Sequence, residues 1–309
     1  MYINNGNSNV LSAIGNTPIV ELTKLNGDDG ARIFVKLEGN NPGGSIKDRP
    51  AYYMITRAEK SGELTKDKII IEPTSGNTGI AIAMIGAAKG YKVRLYMPEC
   101  VSMERQLILQ AFGAEVILTP AKENVDGAIR RAHEALNAEP GKYFMPNQFD
   151  NPNNVLAHYE TTGPEIFKQM DGKIDVFVCA MGTTGTLVGT SRYLKEKVKD
   201  IKIVGIEPAM GHTIQGLKNL TESAVPGIYD ASVMDEKLNV EDGDAFETAR
   251  MLAVREGLFS GMSSGAAVAG ALKVARTMKK GNIAVILPDR GDRYLSTTLF
   301  RSICAKCPP

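Results

Sequence analysis

The strongest constraint on the fold is an alternation of short apolar runs with segments of helical periodicity in the first half of the chain. A buried strand is predicted at residues 68–72, further strands at 92–97 and 115–119, and helices at residues 79–88 and 102–112. Gly90 and Gly113 follow the two helices, where a glycine commonly ends a helix. Because a strand–helix–strand rhythm is typical of βαβ units, the pattern predicts a parallel sheet covered by helices.

A second α/β series follows a polar, loop-rich stretch at residues 147–154. It consists of predicted strands at 175–181, 202–207 and 282–287 and predicted helices at 186–197, 243–256 and 265–278. Residues 19–25 and 33–37 predict two more strands joined by a turn, which the pattern alone assigns to neither series. The chain has 309 residues, about twice the ~150 residues of an average domain, so two α/β domains are expected.

Charge and composition exclude several functional classes. The formal net charge is +1, which argues against a nucleic-acid binder and against a disordered acidic chain. No apolar run approaches the ~18 residues that a membrane helix needs, and no signal peptide is evident. Four cysteines do not make a disulfide framework, and the three histidines are scattered. We therefore expect a cytoplasmic protein that binds no membrane, no nucleic acid and no metal.

Two polar loops at predicted strand ends are candidates for anion binding. Residues 74–79 join a strand to an Ala-rich helix, so backbone N–H groups and hydroxyls would converge at a helix N-terminus. A simple Ser/Thr helix cap is the alternative, although six consecutive small or polar residues exceed what a cap needs. Residues 182–186 combine two glycines with three threonines, a composition typical of a phosphate-binding loop. An ordinary βα turn explains this second loop equally well.

Three further features concern nucleophiles. Lys47 follows a Gly-Gly-Ser turn; most lysines are solvated surface groups, but beside two anion-binding loops this one is a candidate for a Schiff-base amine. Residues 261–265 fit G-x-S-x-G, yet all three histidines precede Ser263, which argues against an α/β-hydrolase. The alternative is a serine cap on a helix whose small-residue loop lines a site. Cys304 and Cys307 form a lone C-x-x-C, which cannot fill a zinc site by itself.

Several of these segments together resemble the cysteine synthase (O-acetylserine sulfhydrylase) family. The resemblance rests on residues 14–18, the Lys47 segment, the two polar loops and residues 288–297, and it covers nearly the whole chain. Residues 164–166, 253–257 and 289–293 look most like the B-type isoform. The resemblance implies an α/β fold of type II, similar to the tryptophan synthase β-subunit. Two three-layer α/β domains would hold pyridoxal 5'-phosphate in the cleft between them.

The resemblance also implies domain boundaries and partners. A smaller N-terminal domain would span residues 45–151, and residues 1–44 with 152–309 would form the larger domain. The N-terminal strands would thus pack with the C-terminal domain. The partners implied are a small amino-acid substrate and a sulfur nucleophile, and the assembly implied is a homodimer.

The resemblance assigns roles residue by residue. Lys47 matches the Schiff-base lysine and the catalytic base. The cofactor-binding positions are Lys47, Asn77, Gly182, Thr183, Thr184, Gly185, Thr186, Ser264 and Asp289, and the substrate-binding positions are Thr74, Ser75, Gly76, Asn77, Thr78, Gln148, Lys218 and Asp230. Asp289 falls where the family usually places Ser or Thr against the pyridine nitrogen. A carboxylate there would favour a protonated ring.

The reaction implied is β-replacement on O-acetylserine or O-phosphoserine by sulfide, which makes L-cysteine. Lys218 could contact a phosphorylated donor or be a solvated surface charge. Asp230 could act as a base toward water or a second thiol, or simply cap a loop. The functional role of Asp230 would fit an alternative reaction that starts from L-cysteine and releases hydrogen sulfide, with serine or lanthionine as product.

Overall fold

The computed structural model describes residues 9–26, 30–74, 76–99, 101 and 103–300. Their strands are β1 (Ile19–Leu22), β2 (Arg32–Leu37), β3 (Ile69–Pro73), β4 (Lys92–Pro98), β5 (Glu115–Thr119), β6 (Tyr143–Phe144), β7 (Val176–Ala180), β8 (Lys202–Pro208), β9 (Glu236–Val240) and β10 (Asn282–Leu287). Their helices are α1 (Asp48–Ser61), α2 (Asn77–Lys89), α3 (Met103–Ala111), α4 (Asn124–Ala138), α5 (Pro152–Ala157), α6 (Gly163–Gln169), α7 (Gly185–Lys197), α8 (Asp242–Glu256) and α9 (Met262–Ala275).

The first domain is built on a four-stranded parallel sheet of order β5-β4-β3-β6. Helix α2 lies against it and is almost wholly buried, because its residues are Ala, Ile, Met and Gly on nearly every face. Gly90 ends α2 with a φ of 75°, in the left-handed region that favours glycine. The parallel order brings the carboxyl end of β3 and the start of α2 to one edge of the sheet, where α/β proteins bind their ligands.

The second domain is built on a six-stranded sheet of order β1-β2-β10-β7-β8-β9. Only the edge strand β1 is antiparallel; it pairs with β2, which in turn runs parallel to β10. Helix α9 packs on the central strands, and its Ala- and Gly-rich surface permits close contact with α8. The two N-terminal strands therefore belong to the sheet of the C-terminal strands, an assignment that the residue pattern alone does not make.

Every strand and helix of the two predicted α/β series is present, with ends shifted by at most a few residues. The α/β class and the two-domain architecture with parallel sheets are confirmed. The pattern does not predict β6, which has two residues, or β9, a half-exposed strand with charged residues on its outer face. It also does not predict α4, α5 or α6. The domain boundaries at residues 45 and 151 stay a prediction.

A buried cluster of opposite charges connects α1 to the larger sheet. Arg49 donates two hydrogen bonds to Glu38, at 2.7 and 2.8 Å, and two to Glu165, both at 2.7 Å. Lys36 on β2 donates to Glu165 at 2.7 Å. Burial opposes the ionisation of Glu38, but Arg49 outweighs it and holds the pKa of this carboxyl below its usual value. The start of α1, directly after Lys47, is thereby fixed to β2 and α6.

The described helices include none with the length and apolar character that a bilayer-spanning segment requires. Within the same residues, no three His, Cys, Asp or Glu side chains are grouped as metal ligands would be.

Candidate active site

A cavity of about 270 Å³ lies where the two sheets present their strand ends to each other. Its walls come from the loops after β3 and β7, the first turn of α9 and the segment 215–218. The lining residues used below are Lys47, Thr74, Gly76, Asn77, Thr78, Arg105, Gln148, Phe149, Cys179, Gly182, Thr183, Thr184, Thr186, Lys218, Ser263 and Tyr294. Most of the residues predicted from the sequence as site residues are thus brought together.

Lys47 reaches this cavity from the turn before α1, and its backbone N–H bonds the Ser45 hydroxyl at 3.2 Å. Burial lowers the pKa of its amine to about 8, although Cys179 and Asp289 offset part of the effect. Cys179 is a buried thiol on β7, and burial raises its pKa to about 12. At neutral pH a buried, mostly protonated thiol therefore lies beside an amine of which a usable fraction is neutral.

The loop 182–186 leads into the N-terminus of α7, whose first amides have no acceptor within the helix. Thr184 has a φ of 69°, which is rare and strained for a β-branched residue and is typical of functional loops. Gly182 is required because a Cβ there would lie 2.5 Å from the Gly216 carbonyl oxygen, and Gly185 because a Cβ would collide with the amide oxygen of Asn154. The Thr184 hydroxyl is buried without a partner in the described structure.

This loop fits a phosphate group. It offers backbone amides at a helix N-terminus, threonine hydroxyls and an unpaired hydroxyl facing inward. The ring of His158 contacts two threonine hydroxyls. Its Nε2 lies 3.2 Å from the Thr186 hydroxyl, and its Nδ1 lies 2.9 Å from the Thr162 hydroxyl. Burial lowers the pKa of His158 well below its usual value, so the ring is neutral.

The opposite wall is formed by the loop after β3 and the start of α2. Thr74, Gly76, Asn77 and Thr78 line the cavity there; Ser75 lies outside the described residues. The Thr78 hydroxyl donates to the side-chain oxygen of Gln148 at 2.6 Å, which ties the predicted carboxylate-binding residues to each other. The helix start and these hydroxyls together make a second anion-binding surface.

Asp289 contacts Asn77 and does not line the cavity. Its Oδ2 accepts from Asn77 Nδ2 at 2.6 Å and from the Tyr294 hydroxyl at 2.5 Å, while Arg293 donates to Asn77 Oδ1 at 2.5 Å. The amide of Asn77 is therefore fixed in direction by a carboxylate and a guanidinium from the other domain. The contact between Asp289 and the pyridine nitrogen stays a prediction.

Ser263 is the serine of the G-x-S-x-G segment that lines the cavity, whereas Ser264 is fully buried and its hydroxyl has no partner in the described structure. The sequence prediction placed Ser264 among the cofactor-binding residues, considered Ser263 only as a hydrolase nucleophile, and included neither Cys179 nor Arg105 in the site. For Ser263 the signal was present, since the small residues 261–265 open a predicted helix, and a serine at such a helix start can line a site. Nothing in the sequence pattern marks Cys179 or Arg105.

The two residues predicted to decide the substrate lie in different places. Lys218 lines the cavity with its amine 4.3 Å from the centre of the Phe149 ring, and burial lowers its pKa. Asp230 is not brought to the cavity. It accepts from Ser232 and from Arg192, at 2.9 Å, and these bonds lower its pKa. It caps the short turn Ala231–Val233, which is the structural alternative left open above.

Comparison with known proteins identifies the family of this chain. Residues 10–289 match the model of a family described as pyridoxal-phosphate dependent enzymes. Cysteine synthase B of Salmonella typhimurium is 51% identical over 287 residues, which are 93% of this chain and 94% of that protein. The chain belongs to the cysteine synthases, within the pyridoxal-phosphate dependent enzymes. The resemblance to the B-type isoform is thereby confirmed.

Solved structures of cysteine synthases and their relatives have the same fold. A cysteine synthase of Entamoeba histolytica superimposes with a TM-score of 0.90 at 40% identity and covers 99% of this chain and 95% of its own. A hydrogen sulfide-producing enzyme of Fusobacterium nucleatum has a TM-score of 0.88 at 45% identity, covering 94% and 100%. Pyridoxal phosphate is the cofactor of this family; the amides and hydroxyls of the loop 182–186 fit its phosphate, and the Lys47 amine is a nucleophile of the kind that its aldehyde requires.

Proposed function

We propose that this cysteine synthase makes L-cysteine by β-replacement on an activated serine, O-acetylserine or O-phosphoserine, with sulfide as the nucleophile. One observation carries the proposal: a lysine amine with a pKa of about 8 faces a cavity between two anion-binding surfaces. One surface suits the cofactor phosphate and the other the carboxylate of an amino acid. The identity of about half of the residues to cysteine synthases supports the same reaction.

The residues that would hold the cofactor divide between the two domains. The loop 182–186 would bind the phosphate, Lys47 the aldehyde carbon, and Asn77 the ring hydroxyl. Ser263 lines the same cavity. When bound, pyridoxal phosphate supplies an electron-accepting ring that stabilises negative charge on the substrate's α-carbon.

Lys47 would move the proton in this reaction. Its Nζ, once neutral, accepts the substrate's α-proton, and the lowered pKa keeps a fraction of the amine neutral at physiological pH. The protein atoms packed around the amine disfavour its charged form. Thr74, Gly76, Asn77, Thr78 and Gln148 line the wall that would orient the substrate carboxylate, and Ser75 is proposed with them from the sequence.

A product screen tests the proposal. Protein purified with pyridoxal phosphate is expected to form L-cysteine from O-acetylserine or O-phosphoserine and sulfide. Lys47→Ala should abolish both product formation and the visible absorbance of the bound cofactor, because no other amine lies in its position. Lys60→Ala removes an exposed lysine at the far end of the same helix and should leave both unchanged. Turnover near the wild-type rate in Lys47→Ala would refute the role of Lys47.

A second reaction is supported by the relative from Fusobacterium nucleatum, which is a hydrogen sulfide-producing enzyme. It would start from L-cysteine, release hydrogen sulfide and give serine or lanthionine. In this structure Asp230 pairs with Arg192 outside the cavity, so Asp230→Asn should change sulfide release from L-cysteine less than twofold. A loss of tenfold or more would show that Asp230 takes part in that reaction.

We further propose a homodimer located in the cytoplasm. The dimer is carried over from the family resemblance, and the location rests on the sequence's few cysteines. Analytical ultracentrifugation of the holoenzyme tests the first, with a mass of about 33 kDa contradicting it. Cell fractionation tests the second.

A further inference from the structure

Glu72 is a buried carboxylate that the reaction described above does not use. It lies near the end of β3 with 1% of its surface exposed. No Lys, Arg or His forms an ion pair with it in the described part of the chain, and burial raises its pKa to about 7. Burying an unpaired carboxylate costs free energy of desolvation. Other contacts must therefore stabilise Glu72 where it lies.

The contacts that Glu72 does make are two hydrogen bonds to successive backbone amides. Oε2 accepts from the N–H of Asn147 at 3.0 Å, and Oε1 accepts from the N–H of Gln148 at 3.2 Å. Asn147 has a φ of 51°, the left-handed conformation, which costs energy for any residue other than glycine and is least unfavourable for Asn and Asp. The carboxylate therefore stabilises a backbone turn that would otherwise relax.

Gln148 is held by three separate groups. Glu72 binds its backbone N–H, Asn154 Nδ2 donates to its backbone carbonyl at 2.8 Å, and Thr78 donates to its side-chain oxygen at 2.6 Å. Asn154 Nδ2 also lies 3.2 Å from the Thr183 hydroxyl, which connects the Gln148 turn to the phosphate loop. Thr78 already occupies the Gln148 side-chain oxygen. The group of this cavity-lining side chain that is left to bind a ligand is therefore Nε2, which is a hydrogen-bond donor.

We propose that Glu72 is a positioning residue for the amino-acid substrate. Its carboxylate fixes the turn at Asn147 and Gln148, so that Gln148 Nε2 points its N–H groups at the substrate carboxylate. This inference rests on the proposed function for the identity of the substrate. The fixing of the turn itself depends only on the contacts given above.

The test compares Glu72→Gln with Gln148→Ala and with the double variant. Glutamine keeps the size of Glu72 but presents an NH₂ group to one of the two amides. We expect KM for O-acetylserine to rise about tenfold, the effect of about 1.4 kcal/mol in substrate binding, while KM for sulfide stays within twofold. The double variant should be no worse than Gln148→Ala alone, because Glu72 acts through Gln148. Additive effects, or an unchanged KM for O-acetylserine, would overturn the proposal.

A second readout does not depend on turnover. Hydrogen exchange at the Asn147 and Gln148 amides should speed up in Glu72→Gln and stay unchanged in α2 and α7. Glu115→Gln on β5, which β4 separates from β3 in the same sheet, is the matched control, since Glu115 is exposed and pairs with Arg94 away from the cavity. If Glu72→Gln does not fold, Glu72→Asp, which keeps the charge but is too short for both amides, should give the same selective rise in KM; a wild-type KM would overturn the proposal. Absence of cysteine synthesis by the wild type would reject the proposed function and leave the exchange test standing.

Discussion

The amine of Lys47 titrates in a surrounding that differs from that of a surface lysine. Protein atoms replace water around it, which disfavours the charged form, and the nearby Asp289 offsets the effect only in part. The pKa of about 8, against the usual 10.5, makes this lysine reactive near neutral pH. That property depends on the cavity and not on the residue type.

The rate at which the cofactor-free protein attaches pyridoxal phosphate should follow this pKa. Only the neutral amine is a nucleophile, so the rate should rise with pH and reach half its maximum near pH 8. The measurement is the mass of the adduct after borohydride reduction at timed intervals between pH 6 and pH 10. Lys47→Ala should give no adduct at this site. A midpoint near 10.5 would contradict the buried environment of the amine.

Lys218 should distinguish between the two activated serines. It lines the cavity close to Phe149 and is half-buried, so its charge is poorly screened by solvent. Lys218→Ala is expected to raise KM for the dianionic O-phosphoserine about tenfold, the worth of one charge-assisted hydrogen bond, and to leave KM for neutral-chain O-acetylserine unchanged. Lys195→Ala, an exposed lysine paired with Asp235, should alter neither. Equal changes in KM for O-phosphoserine and O-acetylserine would show that Lys218 does not bind the phosphate of the substrate.

For individual residues, the sequence predicts membership of the site better in contiguous motifs than at isolated positions. The loops at 74–78 and 182–186 reach the cavity because a strand before and a helix after each loop determine where it lies. Ser263 and Ser264 cannot be separated in this way, since neighbouring residues of a helix differ only in direction. Asp230 lies in an irregular segment, where no periodicity predicts which way a side chain faces.

At the level of helices and strands, the first residues of α7 are under tight steric and backbone constraints. The proposed binding of a phosphate at the N-terminus of α7 would need the first residues of the helix close to the ligand, and Gly185 also faces the side chain of Asn154. The strained φ of Thr184 immediately before it indicates that the loop is fixed in one conformation by its surroundings. Sequence composition identifies the loop, but the contact with Asn154 is long-range and is visible only in the fold.

Gly185→Ala should weaken cofactor binding. The added methyl group has no room beside Asn154, and overpacking of this kind costs about 1–3 kcal/mol. Titration of the cofactor-free protein with pyridoxal phosphate, followed by fluorescence, should show an affinity lower by about tenfold or more. Gly243→Ala is the matched control: Gly243 is exposed at the start of α8 with open space around it, so this change should leave affinity unchanged. Equal affinities for the two variants would contradict the close approach at α7.

Across the whole molecule, the charge cluster of Lys36, Glu38, Arg49 and Glu165 connects elements that are distant in sequence. It joins β2, α1 and α6, and its two cations and two carboxylates balance within a buried volume. Sequence analysis predicted none of it, because charged residues at such positions are indistinguishable from solvated ones until the elements are packed. The cluster matters for function because α1 begins directly after Lys47.

Glu165→Gln should destabilise the protein strongly. It leaves the buried cations with one carboxylate fewer, and breaking a buried ion pair costs about 3–5 kcal/mol. Urea unfolding followed by circular dichroism should show the loss as a lower midpoint. Glu160→Gln removes a partner from the pair with Arg57, in which both side chains are exposed, and should cost under about 0.5 kcal/mol. Similar midpoints for the two variants would argue that the cluster contributes little to stability.

The pairing of β2 with β10 has a consequence for the order in which the chain can fold during synthesis. The four-stranded sheet is encoded in one continuous stretch, so it can close while the ribosome is still making the rest. The hairpin of β1 and β2 emerges first but lacks its neighbour until nearly the whole chain has been translated. The earliest strands are therefore the last to be completed, and they expose an unpaired edge throughout that interval. In that interval the free edge of β2 can pair with a strand of another chain, a hazard that ends once β10 is in place.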